Sequence, residues 1–468
     1  MKRVMIAAAG SGSGKTIFTC GLLNLLKKRG RTASFKCGPD YIDPMFHRTV
    51  IGVDSENLDS FFSSPEELRG LVAGPPAEFA VVEGVMGIYD GIGFGTRTGS
   101  CYEIASLTDT PVILLVDAKG MGSTLLSLIK GVLADDDRHL IRGVVLNRVT
   151  PRFYEQVRPV LAETLAQSGG IKLVGYIPND KGISLESRHL GLRMPSEIGD
   201  LRAQVGRFSG LIESCCDLDA ILEIMDSAGD LPTGAGLTPR VEPLPGAGLT
   251  LAVARDEAFC FYYPENLRAF ERRGVKIAEF SPVRDAALPA GADGLLLGGG
   301  YPELYAGQLS ENSSMRSSIL NALRSGLPSL AECGGFMYLM DEMETEGGVF
   351  PMVGAIHGKA FNTGRLCRFG YVRLEALADE AAAHSGAEPA ENDLLQVGQE
   401  IKAHEFHYYD TDNNGSDCLA VKASGASSWY CVHMGPDHFW GYPHLWYASM
   451  PTFVDRFIAA MRDHREQR

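Results

Sequence analysis

Val4-Met5-Ile6-Ala7-Ala8-Ala9-Gly10-Ser11-Gly12-Ser13-Gly14-Lys15-Thr16 is an apolar run that breaks into a glycine-rich turn ending in Lys-Thr. Behind it, residues 17–28 carry their apolar side chains at helical spacing. Strand, loop and helix in that order are the setting of a phosphate-binding loop. Glycines let backbone N–H groups converge on an anion, and the helix N-terminus adds positive potential. Lys15 would neutralise phosphate oxygens and the Thr16 hydroxyl would hold Mg2+. The position six before Lys15 is Ala9, where the common pattern has glycine. The expectation is a nucleotide site for ATP or GTP built from Gly10, Ser11, Gly12, Ser13, Gly14, Lys15 and Thr16.

Working outward, short apolar runs at 79–82, 112–116, 144–146, 249–254 and 295–297 alternate with helical patterns such as 123–133 and 152–167. Such alternation predicts βαβ units and parallel sheets buried on both faces, an α/β protein in both halves. The stretch at 227–248 is rich in Gly and Pro and lacks periodicity. It reads as a linker between domains at 1–226 and 249–468. Residues 378–392 read as a solvated excursion.

The carboxylates a P-loop needs for its metal are sought at neighbouring strand ends. Glu83 closes the run Phe79-Ala80-Val81-Val82-Glu83 and is the first candidate for Mg2+; Asp90, in an Asp-Gly turn, is the second. Asn147 ends a later strand and suits an adenine edge. The segment Lys36-Cys37-Gly38-Pro39-Asp40-Tyr41-Ile42-Asp43-Pro44-Met45-Phe46-His47 crowds a lysine, two carboxylates, a tyrosine and a histidine behind a strand. Open α/β sheets bind ligands at that edge, so this loop is expected to face a ligand.

In the second half, a strand at 328–331 leads into Glu332-Cys333-Gly334-Gly335 and a helical run at 336–340. This pattern resembles a nucleophile elbow, holding a thiol above a sheet at a helix N-terminus, where thiolate is favoured. Gly334, with Gly299 of the Gly298-Gly299-Gly300 turn, would supply oxyanion N–H donors. A thiol needs a base, and His404, His407 and His444 are all available; spacing does not choose among them. The HxxH spacing of His404 and His407 lacks the helix and third ligand that a metal site needs.

Composition sets limits on partners. The 468 residues are 45% hydrophobic and 22% charged, the balance of a globular chain. Lys and Arg number 43 against 58 Asp and Glu, a formal charge of −15, which argues against nucleic-acid or anionic-membrane partners. No apolar run approaches the ~20 residues of a membrane span, and the opening run is read as a strand, not a signal peptide. Ten scattered cysteines, with one vicinal pair at Cys215-Cys216 and no CxxC, fit neither a disulfide framework nor a zinc site. The expected setting is cytoplasmic.

A P-loop half joined to a thiol half resembles the two-domain family of corrinoid and tetrapyrrole glutamine amidotransferases. The resemblance is carried by SGSGKT, FKCGPDYIDPMFH, NLDSFF, VVEGVMGIYDG, GVVLNRV, RHLGL, ARDEAFCFYYPENL, LGGGYPEL, AECGGFMYL and HEFHY, strings that span nearly the whole chain. It implies an N-terminal domain like dethiobiotin synthetase and a C-terminal domain like class I glutamine amidotransferases. It also implies ATP- and glutamine-dependent amidation of the a and c acetate carboxylates of cobyrinate through acyl phosphates. In that scheme Cys333 is the nucleophile and His444 its base; Lys15 and Thr16 serve ATP and Mg2+, Glu83 and Asp90 the metal, and Lys36, Asp40 and Tyr41 fall in the segment that meets the carboxylate substrate. Ordinary class I enzymes carry a Glu two residues after the histidine, where this chain has Trp446, as the resembled family also lacks it; a Cys–His pair is therefore implied. Sirohydrochlorin, its nickel complex, siroheme and hydrogenobyrinate are alternative macrocycles. A partition-type P-loop ATPase with an inactive amidase-like tail is the alternative class. Implied partners are the tetrapyrrole carboxylate, L-glutamine and ATP; a homodimer is an expectation that no motif carries.

Overall fold

The computed structural model describes residues 1–179, 201–231, 244–377 and 393–468, with backbone pairing at 187–188 and 191–192. The expected linker at 227–248 lies partly, and the excursion at 378–392 wholly, outside the described residues. The chain forms two compact units, Met1–Leu237 and Thr238–Arg468.

The first unit is a seven-stranded, wholly parallel sheet. Its strands are β1 (Lys2–Ala8), β2 (Thr32–Cys37), β3 (Ser55–Leu58), β4 (Phe79–Glu83), β5 (Val112–Asp117), β6 (Ile141–Val149) and β7 (Lys172–Pro178), in the order β3-β2-β4-β1-β5-β6-β7. Alternate residues of one strand feed two separate cores. Met5 and Ala7 join Ala80, Val82 and Leu114 on one face, while Val4, Ile6 and Ala8 join Val81, Ile113 and Leu115 on the other. That is why these strands read as unbroken apolar runs instead of alternating ones. Helix α1 (Lys15–Leu26) leaves the loop after β1, and a short helix α2 (Ile42–Phe46) follows β2.

The two largest sheets of the second unit, beside a four-stranded sheet and a two-stranded ribbon, position its site. The larger runs Lys276–Phe280, Thr250–Ala254, Gly294–Leu297, Ser329–Glu332, His438–Gly441 and His433–Met434 across its width. All neighbours are parallel except the last pair. The other sheet is antiparallel: Ser428–Cys431, Cys418–Lys422, Arg368–Ala376, Glu400–His407 and His444–Leu445. The parallel sheet agrees with the sequence reading; the antiparallel one is an addition to it. Its strands mix His, Glu and aromatic residues with apolar ones, which blurs the period-two signal.

Candidate active site

In the first unit, β1, β2 and β4 deliver their chemistry to one edge. Strand pairing sets Ile6 and Lys36 beside Glu83, so the ends of three parallel strands meet. Gly14, at φ +90°, turns the loop into α1, a conformation that glycine adopts without a Cβ penalty. The Thr16 hydroxyl donates to Glu83 Oε1 at 2.6 Å, and Lys36 Nζ donates to the same oxygen at 2.8 Å. Asp43 accepts from Lys36 Nζ at 2.5 Å, and His47 Nε2 lies 3.3 Å from Glu83 Oε2. All four of Lys36, Asp43, His47 and Glu83 are buried.

Burial alone would raise the Glu83 carboxyl, but Lys36 and His47 hold it well below the usual carboxylate range. Burial would likewise discharge Lys36, yet Asp43 and Glu83 hold it firmly as a cation. Breaking such a buried pair from one side costs about 3–5 kcal/mol. Lys15, whose proton affinity is lowered by burial and by Lys36, donates to the carbonyls of Gly10 at 3.0 Å and Met86 at 2.5 Å. A hydroxyl and an anionic oxygen converging at a strand end form the hard donor set that Mg2+ takes. Among the described residues no group of three His, Cys, Asp or Glu is placed to hold a metal by itself.

The remaining expected residues fall nearby with other duties. Asp40 Oδ1 accepts the N–H groups of Ile42 and Asp43 at 2.9 and 3.0 Å, opening α2, while its Oδ2 lies 3.9 Å from Lys36 Nζ. Tyr41 is half-buried at the start of that helix. Exposed Asp90 accepts the Gly87 N–H at 2.6 Å and so closes its own turn. Asn147 Nδ2 donates to the Ser13 carbonyl at 2.8 Å, and its Oδ1 accepts from Arg148 N at 2.9 Å. Both ends of that carboxamide hold protein groups, so an adenine edge must compete for them.

In the second unit, Cys333 follows the Ser329–Glu332 strand at φ +48° and ψ −105°. Non-glycine residues held there cost about 1–3 kcal/mol, and the surroundings impose the bend. The Cys333 N–H donates to Gly441 O at 2.9 Å, and its carbonyl accepts from Met337 N at 2.9 Å to begin the Gly334–Leu339 helix. A Cβ at Gly335 would lie 2.1 Å from Leu297 O, so only glycine permits this close approach. His444, buried three residues past the adjacent strand, packs on Gly299, where a Cβ would sit 2.3 Å from its Cε1. Gly334 packs against Pro302 and the Gly300 backbone.

The structure separates the three candidate bases. Burial, with His444 and His407 adding, lowers His404 to about 3. His407 bonds at both nitrogens, Nδ1 to Tyr409 O at 2.6 Å and Nε2 to Glu405 Oε2 at 3.0 Å. His444 Nδ1 lies 3.6 Å from Glu332 Oε2. The expected bias toward thiolate is corrected: burial pushes the Cys333 thiol well above its usual range, and Glu303, Glu405 and Glu332 add to it. A bond from the Gly334 N–H opposes the shift without overcoming it. The six-residue helix behind the thiol is too short to win against burial.

The chain matches two family models: a CobQ/CobB/MinD/ParA nucleotide binding domain over residues 4–192, and a CobB/CobQ-like glutamine amidotransferase domain over 250–437. It is 36% identical to the cobyrinate a,c-diamide synthase of Listeria innocua, covering 98% of this chain and 99% of that one. It is 37% identical to the cobyrinate a,c-diamide synthase of Salmonella typhimurium, with 98% of each covered. The chain belongs to the cobyrinate a,c-diamide synthase family. Likeness to the solved structure of PurLQS from Thermotoga maritima is slight, at 13% identity and a TM-score of 0.29 over 46% of this chain and 99% of that one.

Members of the cobyrinate a,c-diamide synthase family pair a P-loop domain with an amidotransferase domain, and this chain is accordingly a glutamine-dependent carbon–nitrogen ligase that uses ATP. No described helix is long and apolar enough to cross a membrane. Sequence reasoning gave no role to Asp43, His47 or Glu332, although all three stand in the quoted strings. For Asp43 and His47 the available signal was their four-residue spacing, which sets both on one side of the turn that follows β2. For Glu332 the signal was an acidic residue ending an otherwise apolar strand.

Proposed function

We propose that this chain replaces the a and c acetate carboxylates of cobyrinate by carboxamides, using ATP and glutamine. The observation that carries the reading is the Thr16–Glu83–Lys36 cluster and the strained Cys333 elbow on one chain, similar along its length to cobyrinate a,c-diamide synthases. Thr16 and Glu83 would hold Mg2+, with Asp90 as a further oxygen donor. Mg2+ held there would offset the negative charge of the phosphate groups.

A carboxylate accepts ammonia poorly because oxide leaves badly. Transfer of the γ-phosphoryl group from ATP to a carboxylate oxygen gives an acyl phosphate and ADP. Lys15 exchanges its two carbonyl partners for phosphate oxygens, and Lys36 remains a fixed cation beside the transferred group. Asp40 and Tyr41 lie in the segment expected to face the substrate. The loop glycines, with Ser11 and Ser13, cradle the polyphosphate.

In the second unit the Cys333 proton passes to His444 and sulfur attacks the glutamine amide. Gly299 and Gly334 donate to the developing oxyanion, ammonia leaves with that proton, and water hydrolyses the thioester to glutamate. A thiol raised by burial ionises only as imidazole accepts its proton, so cleavage is tied to an occupied site. Ammonia then attacks the acyl phosphate and inorganic phosphate departs. Because ammonia in bulk water is mostly ammonium, a protected transfer is part of the proposal. The test is incubation with Mg-ATP, glutamine and a panel of tetrapyrroles. Each OH-to-NH2 replacement lowers the mass by a single unit, and two such steps on cobyrinate are expected. Turnover of sirohydrochlorin, its nickel complex, siroheme or hydrogenobyrinate in its place would move the substrate to that ring. ATP hydrolysis with no glutaminase activity would favour the partition-type ATPase.

A further inference from the structure

The position two residues after His444 is Trp446, so the usual source of a third catalytic carboxylate is missing. The fold brings one from another direction. Glu332 ends the Ser329–Glu332 strand and is only 6% exposed. Its Oε2 lies 3.6 Å from His444 Nδ1, and its Oε1 accepts the Tyr447 hydroxyl at 3.0 Å. Tyr447 is itself fixed: its N–H donates to Asn266 Oδ1 at 3.0 Å, and Asn266 Nδ2 donates to Leu445 O at 2.7 Å. The phenol ring packs on Phe270 and Phe453. The partners of this buried carboxylate are thus an imidazole and a phenol, where a purely structural acid would be matched by Lys or Arg.

Strand alternation explains the placement. Leu330 packs in the same core as Tyr447, and Ala331 and Cys333 pack in the other. Glu332 therefore points to the Tyr447 side, and the positive φ at Cys333 turns the next residue away from it.

We propose that Glu332 is the positioning residue of the glutaminase centre, a carboxylate supplied by the residue before the nucleophile instead of one after the base. This rests on the roles given above to Cys333 and His444. With Glu332 on the Nδ1 side, the ring keeps Nδ1–H toward the carboxylate and leaves Nε2 to accept the thiol proton.

The test uses the full chain, with Glu332→Gln and Tyr447→Phe compared with the parent. Glutamate release and amide formation are measured over a range of glutamine concentrations. Amidation driven by ammonium chloride bypasses the thiol and reports folding. For Glu332→Gln, kcat with glutamine is expected to fall about 10²–10⁴-fold while KM stays within a few-fold. For Tyr447→Phe, a loss of about tenfold in kcat is expected. A Glu332→Gln kcat within about threefold of the parent, or a loss expressed wholly in KM, overturns the proposal. If Glu332→Gln also loses ammonium-driven turnover, Tyr447→Phe decides, and unchanged kcat there overturns it. If Cys333→Ala releases glutamate as fast as the parent, the proposed function fails first and this inference with it.

Discussion

At the edge of β1, β2 and β4 the protein buries a cation between two carboxylates and sets a histidine on one of them; at the matching edge of the second unit's parallel sheet it buries a neutral thiol near three carboxylates that oppose its ionisation. Both places lie beyond the C-terminal ends of parallel strands, where a tight loop enters a helix. The first is charged before any ligand arrives, so an incoming phosphate meets fixed dipoles and cations with little reorganisation. The second keeps its sulfur protonated and relies on a neighbouring base to release it. One site is prepared for a charge that is brought in, the other for a charge made during the reaction.

The sharpest way to break that contrast is Cys333→Ala. Glutamine-driven amidation should fall by about 10⁴-fold or more, while ammonium-driven amidation persists. Loss of both would make the elbow structural and erase the division of labour. Next in size is Glu83→Gln, which leaves His47 without its carboxylate partner and Lys36 with Asp43 and the more distant Asp40. Amidation with either nitrogen source should drop about 10²–10³-fold, and thermal unfolding should show a loss of about 3–5 kcal/mol. A stable variant with full activity would show the buried charges to be incidental.

A third test sharpens the thiol side. Gly299→Ala puts a methyl group where the His444 ring lies, and glutamine turnover should fall about a hundredfold through misplacement of that ring. Unchanged turnover would remove His444 from the reaction path. The smallest effect is expected in the pH dependence of stability. His407 is lowered by burial, yet bonds with Cys367 and Glu405 raise it to about 9 from 6.5. A raised value means stability fully present below pH 6.5 and lost as pH climbs through about 9, worth about 1–3 kcal/mol. In His407→Gln, urea midpoints should therefore flatten between pH 6.5 and 9 relative to the parent; equal slopes would contradict it.

The nucleotide side was readable because its parts are contiguous. The loop and its lysine occupy one string, Lys36, Asp43 and His47 another, and Glu83 terminates an apolar run, so strand pairing had only to bring short segments together. The strands themselves lie within three residues of the expected ends, as for 79–82 against Phe79–Glu83 and 144–146 against Ile141–Val149. On the thiol side the residues marked Cys333, Gly299, Gly334 and three candidate histidines, but not which carboxylate stands beside which histidine. The approach of Glu332 to His444 and the tyrosine behind it join residues more than 100 positions apart. The antiparallel sheet that carries His404 and His444 was likewise hidden, because its partners are set by register and not by local pattern. Asn147 shows the same limit: a strand-end amide is visible in sequence, but its bond to Ser13 across 134 residues is not.

The central claim is that the P-loop unit energises a carboxylate before nitrogen replaces its oxygen. Cobyrinate carrying 18O in its acetate carboxylates, turned over with Mg-ATP and glutamine, tests it most directly. The account requires one 18O atom in inorganic phosphate for every amide formed. Amide formation with unlabelled phosphate would contradict it.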